Sequence, residues 1–239
     1  MGKQAEARRW EAAAAELAAD LGASVRMVME QHGLDTVPAS VEWADFDPTA
    51  IAGAVSLLGA AALLPDEALQ RTFDRFVEGL RRRLDPAQQW TNYSPYEVRV
   101  VGALARMGRR DDANLLLDAL LADRRPAAWN QWPEILWRDA ESPAHLGDLP
   151  HCWIGAEFWI ALRTLLAYER EEDGVLVLGA GMRREWLDAG VEACGLPTWW
   201  GPLDVSVRLD GDRYRVRASG GAAPPGGFAW QLPRPFVQE

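Results

Sequence analysis

Apolar residues recur at three- and four-residue spacing through Trp10, Ala14, Leu17, Leu21, Val25 and Val28, with charges on the opposite face. That period predicts a long amphipathic helix over 5–31, with Gly33 placed to stop it. An irregular stretch follows and ends in Trp43-Ala44-Asp45-Phe46. Asp47 then reads as a helix cap, with Pro48 at the first helical position. Residues 49–64 contain no charge at all, the pattern of a helix buried on every side. Pro65-Asp66-Glu67 opens a third helix to about residue 83, striped by Leu69, Phe73, Phe76, Val77 and Leu80. Ser94-Pro95-Tyr96-Glu97 has the form of a capping box before a mostly apolar helix to Met107. After a turn at Gly108-Arg109-Arg110, residues 111–122 form an amphipathic fifth helix. Residues 151–168 form a sixth, with Glu157 and Arg163 as its charges before the last turn.

In this order the helices alternate between exposed and buried, which predicts hairpins laid out as an inner and an outer ring. Each predicted inner helix is entered through a loop rich in aromatic and acidic residues. The longest, 124–150, is too broken by Pro and Gly for a helix, and loops of that length in compact domains are usually functional. It carries Trp129, Trp132 and Trp137, with Trp153 just beyond, four of the chain's 12 tryptophans.

Beyond Tyr168 the period changes. Residues 175–178, 203–209 and 213–218 read as strands. In the second of these, Leu203, Val205, Val207 and Leu209 alternate with Asp204, Ser206 and Arg208, which fits one buried face. Asp210-Gly211 signals a hairpin, and 228–232 reads as a last short strand. The resulting expectation is a mainly α protein: a helical domain over 1–170 and a small antiparallel β module over 171–239.

Composition narrows the function classes. A net charge of −10 over 239 residues argues against nonspecific nucleic-acid or anionic-membrane binding. Cys152 and Cys194 form no disulfide framework or zinc-finger spacing. The charge-free run 49–64 is too short to cross a bilayer. The start, Met1-Gly2-Lys3-Gln4-Ala5-Glu6, has no apolar signal-peptide core. The default compartment is then the cytoplasm, or the exterior if the chain is cut from a longer secreted protein. No cofactor is expected. His151 has no ligand-spaced neighbours in sequence, so no metal is expected either.

Several motifs together resemble a known superfamily. They are Ala44-Asp45-Phe46-Asp47-Pro48-Thr49-Ala50, Tyr93-Ser94-Pro95-Tyr96-Glu97, Trp129-Asn130-Gln131-Trp132-Pro133-Glu134 and Gly147-Asp148-Leu149-Pro150-His151-Cys152-Trp153, with the strand-rich tail from Leu176. On these the chain resembles the C-terminal half of six-hairpin glycosidase-like proteins of a bacterial multidomain type. Those are (α/α)6 toroids, a superfamily that includes glucoamylases, rhamnosidases and cellobiose phosphorylases. The resemblance implies part of such a toroid, with sugars bound at one end of the inner ring and, in many members, glycoside hydrolysis with inversion. A closed toroid has six hairpins and the helices here make three. The remainder is then expected from a missing N-terminal half or from a second copy.

Inverting glycosidases use two carboxylates about 6.5–9.5 Å apart, one as acid and one activating water. Glu134, set between Trp132 and Trp137, and Asp148, ahead of the last inner helix, are the candidates for that pair. The plain alternatives are Glu134 held by Arg125 or Arg138, and Asp148 as a helix cap beside His151. Trp129, Trp132, Trp137, His151, Asp45, Tyr93 and Glu97 are the candidate contacts to an oligo- or polysaccharide. Glu97 also reads as the capping-box partner, and Glu157, on an apolar helix, is explained either by Arg163 as its partner or by a cavity-facing position. Two functions follow: part of an inverting glycoside hydrolase, or a half-toroid that binds glycan without turnover and completes a partner. A lyase or phosphorylase on the same scaffold is a third.

Overall fold

The long first helix forms, but most of its apolar stripe stays open. In the computed structural model, which describes residues 2–142 and 148–238, α1 spans Gly2–His32. Among the described residues of α1 only Gly22, Val25 and Val28 are buried, while Trp10, Leu17, Leu21 and Met27 are exposed. Gly22 sits against the 3-10 turn Ala60–Leu63, where an added Cβ would lie 3.2 Å from the Leu63 carbonyl oxygen.

The charge-free run is not one buried helix. Asp47 caps α2, Pro48–Ser56, by accepting from Thr49 N at 2.9 Å and Ala50 N at 3.3 Å. The helix then ends, because Gly59 takes a left-handed φ of 61° and a 3-10 turn follows. Leu58, between the two, is 70% exposed. Absence of charge permitted burial there, but the glycine conformation decided the length. α3, Asp66–Leu84, forms as its stripe predicts and buries Leu69, Phe73, Phe76, Val77 and Leu80. These elements make up one compact unit, Met1–Asp85.

The second unit, Pro86–Glu239, overturns the mainly α expectation. About 48% of the chain is helical and 19% strand, in sheets of two, three and four strands. The chain is therefore an α+β mix, not a helical toroid segment with a small β appendage. Part of the difference lies in the predicted sixth helix. α6, Cys152–Leu166, stops early, and Ala167–Arg170 turns into β3. β3 pairs antiparallel with β4, Val175–Leu178, which in turn pairs in parallel with β8, Phe228–Trp230. The four-stranded sheet runs β5 (Val191–Thr198), β6 (Gly201–Asp210), β7 (Arg213–Gly220) and β9 (Phe236–Gln238). β9 lies parallel to β7, so neither sheet is purely antiparallel.

β4 shows how the layers stack. All four of its residues are buried. Leu176 and Leu178 pack with Leu203 and Val205 of β6, and Val175 and Val177 pack with Tyr168 and Ala180. Beyond that second cluster lie α4, Val98–Arg106, and α5, Arg110–Ala122. The Arg106 guanidinium stacks over the Tyr168 ring at 4.5 Å. Arg110 donates to the carbonyls of Gly179 and Gln231, and Asn114 to that of Gly181. Helices, three-stranded sheet and four-stranded sheet thus form three layers. The short helix α7, Arg184–Ala189, supplies Leu187 to the cluster of Val207, Tyr214 and Val216.

Candidate functional site

The long loop is held in place by backbone. Its residues Leu136–Trp137, β2, pair antiparallel with Asn92–Tyr93, β1. Arg138 N donates to Thr91 O at 2.9 Å, and the Ser94 hydroxyl donates to the Glu134 carbonyl at 2.8 Å. His151 N donates to Trp132 O at 3.2 Å, tying the loop to the start of α6. Ser94 also accepts from Tyr96 N, and the predicted helix start there is a 3-10 turn, Pro95–Glu97, ahead of α4.

These ties bring Glu134, Asp148 and His151 together. One carboxylate oxygen of each acid and one ring nitrogen of His151 lie within 4.8 Å of one another. Asp148 Oδ2 accepts the Glu134 backbone N–H at 3.2 Å and lies 3.9 Å from His151 Nδ1. Asp148 Oδ1 is shielded from water and, among the described residues, has no hydrogen-bond donor. The Glu134 side chain is exposed. It forms no ion pair with Arg125 or Arg138, which instead donate to the Trp137 carbonyl and to Gln88 O and Gln89 Oε1. Asp148 is not the cap of α6 either: His151 occupies that position and makes no side-chain cap bond.

Tyr96 completes the corner, and the sequence pattern held no signal for it beyond its place in the capping box. Its hydroxyl lies 3.1 Å from His151 Nε2, and the two rings meet edge to face. Arg99 stacks over the Tyr96 ring at 4.7 Å and bonds Glu157 at 2.7 Å. Glu157 is therefore paired with Arg99, across α4 and α6, and not with Arg163. Burial raises the Tyr96 hydroxyl above its ordinary pKa of 10.0; Arg99 opposes the shift, and Glu134 and Glu157 add to it. The phenol stays protonated at neutral pH.

The other candidates fall in different surroundings. Trp132 is 2% exposed; its indole N–H donates to Leu120 O at 2.8 Å and its ring packs on Phe158. Tyr93 is buried and donates to Asp123 Oδ2 at 2.8 Å. Both side chains build the scaffold. Trp137 is half-buried and lines a pocket of about 230 Å³ with Pro133, Ile135 and Leu149, the chain neighbours of the two acids. Trp129 is 58% exposed, and Glu97 is half-buried within the 3-10 turn. Asp45 belongs to the first unit, where its Oδ1 accepts from Ser40 N and Oγ. Gly147 of the Gly-Asp-Leu-Pro-His motif lies outside the described residues. Trp153, in the first turn of α6, is 69% exposed. Among the described residues no helix is long and apolar enough to cross a membrane. Compared with known protein families, curated proteins and solved structures, the chain matches none.

Proposed function

We propose that the chain is a carbohydrate-active protein that takes a glycan at the Glu134, Asp148, His151 and Tyr96 corner, and that the two carboxylates hydrolyse a glycosyl bond there. The convergence of those two acids with His151 supports this most directly. Glu134 takes the role of general acid, giving a proton to the glycosidic oxygen as the bond to the anomeric carbon breaks. Asp148 takes a proton from the water that attacks that carbon. The nearest ligand oxygens lie within 4.8 Å, closer than the roughly 6.5–9.5 Å of an inverting pair. Admitting the water requires the exposed Glu134 side chain to swing outward. Tyr96 and His151 serve as hydrogen-bonding partners for sugar hydroxyls.

Glycan binding without turnover is the second reading. The bond from Glu134 N–H to Asp148 Oδ2 favours it, because it gives Asp148 a structural task. So does the exposure of Glu134, whose carboxylate stands in water and not in a closed pocket.

A glycan array followed by an assay of reducing-end release separates the two. The hydrolase reading expects release from at least one bound glycan, and a loss of about 10²–10⁴-fold in Glu134→Gln and in Asp148→Asn. Binding with no release from any hit leaves the second reading standing. Release that survives both substitutions removes the residue assignment.

A further inference from the structure

We propose that Glu134, Asp148 and His151 form a site for a divalent transition-metal ion, with Zn2+ as the fitting ion and Tyr96 as the residue that orients His151. The inference stands on the geometry of these side chains and not on the carbohydrate reading.

Three observations support it. First, two carboxylates and an imidazole present ligand atoms within 4.8 Å of one another, and among the described residues no arginine or lysine is paired to Glu134. Facing carboxylates repel unless a cation lies between them. Second, Asp148 Oδ1 is closed to water and, among the described residues, has no donor. A shielded acceptor of this kind calls for an ion or a trapped water. Third, His151 is set as a metal ligand is set. Its Nε2 is engaged by the Tyr96 hydroxyl at 3.1 Å, which leaves Nδ1 turned toward Asp148 Oδ2. That separation, 3.9 Å, is too long for a hydrogen bond. Ligands about 2.1 Å from a tetrahedral zinc stand about 3.4 Å apart, so a closure of about half an ångström brings this pair to ligand spacing, and the pairs with Glu134, all within 4.8 Å, need at most about 1.4 Å. A second-shell hydrogen bond on the far ring nitrogen is the usual companion of a ligating histidine.

The mixed oxygen and imidazole donors suit Zn2+ better than Ca2+ or Mg2+, which take oxygen ligands. Three protein ligands with one on the solvent side leave a coordination position open, as in zinc sites that bind a further group. With the ion in place both acids are ligands. In the hydrolase reading Zn2+ is then an inhibitor, and in the binding reading it is part of the sugar site.

Calorimetric titration of the whole chain with Zn2+ alone tests this without any activity assay. One saturable site per chain is expected. Glu134→Gln, whose side chain is exposed and carries little of the fold, should weaken binding about tenfold or more, as should His151→Gln and Asp148→Asn. Tyr96→Phe should weaken it less, and Cys152→Ser not at all. The His151 imidazole resonance should shift on titration. Absence of a saturable site, Glu134→Gln binding as tightly as the native chain, or loss of binding in Cys152→Ser would each overturn the site.

Discussion

Glu169 is 3% exposed and faces the Arg163 guanidinium through two bonds of 2.5 Å, with Trp199 N donating to the same carboxylate. Burial by itself raises the carboxyl pKa, but the Arg163 bonds and charge, with the Trp199 N–H, outweigh it and hold it below the ordinary 4.5. A folded-state pKa below the unfolded one means stability that is complete above the unfolded value. It is lost as pH falls from there through the lowered folded value. Removing one partner of a buried pair costs about 3–5 kcal/mol. Glu169→Gln, which keeps an acceptor, should sit at or below the lower end at neutral pH. The gap between native and Glu169→Gln should then shrink as pH drops below 4.5, read by urea unfolding at a series of pH values. A gap that stays constant into acid would show that the charge contributes nothing. This pair could not be read from sequence. In the sequence Arg163 offered itself as a partner for a buried Glu157 inside one predicted helix, and only the turn from α6 into β3 places it against Glu169.

Two glycines test the elements in opposite directions. An added Cβ at Gly181 would lie 2.1 Å from Leu165 Cδ2 and 2.9 Å from its Cα, so the end of α6 and the turn after β4 meet without room for a methyl group. Gly181→Ala should cost about 1–3 kcal/mol through overpacking. Gly53 lies inside α2 with nothing within 4 Å of an added Cβ, and Gly53→Ala should gain about 0.5–1 kcal/mol. Thermal melts of the two variants should move in opposite directions from the native midpoint; shifts of the same sign would contradict the packing described. What was legible at this scale follows the same physics. The stripe of α3 and the alternation of β6 state their own buried faces, so each was readable alone. β3 was not, because Ala167-Tyr168-Glu169-Arg170 continues a helical pattern and becomes a strand only when β4 offers the partner edge. The carboxylate corner was legible in part. Glu134 and Asp148 stood out in a Trp-rich loop, whereas the Tyr96 hydroxyl reaches His151 across 55 positions of chain, and no local pattern encodes that.

The tryptophans are unevenly divided between the two units, and that gives a test of their independence. Met1–Asp85 contains only Trp10 and Trp43, both exposed, at 59% and 82%. The other ten lie in Pro86–Glu239, among them buried Trp132. Indole fluorescence therefore reports the second unit almost alone, since exposed indoles change little on unfolding. Far-UV circular dichroism reports both, because α1, α2 and α3 are all in the first. Each unit carries its own buried residues: Val25, Val28, Phe73 and Leu80 in one, and Leu116, Leu176 and Tyr214 in the other. α1 buries few side chains for its length, and helices owe most of their stability to a packed apolar face. The first unit should therefore unfold at lower denaturant. The dichroism curve in urea should begin to fall before the fluorescence curve, and the two should not superimpose. Superimposable curves would mean one cooperative transition across the Asp85–Pro86 boundary. Early loss of dichroism would also explain how a chain so helical in its first third could keep the Glu134, Asp148 and His151 corner intact: the ties that hold it, from Ser94, Trp132 and β1, all lie within the second unit.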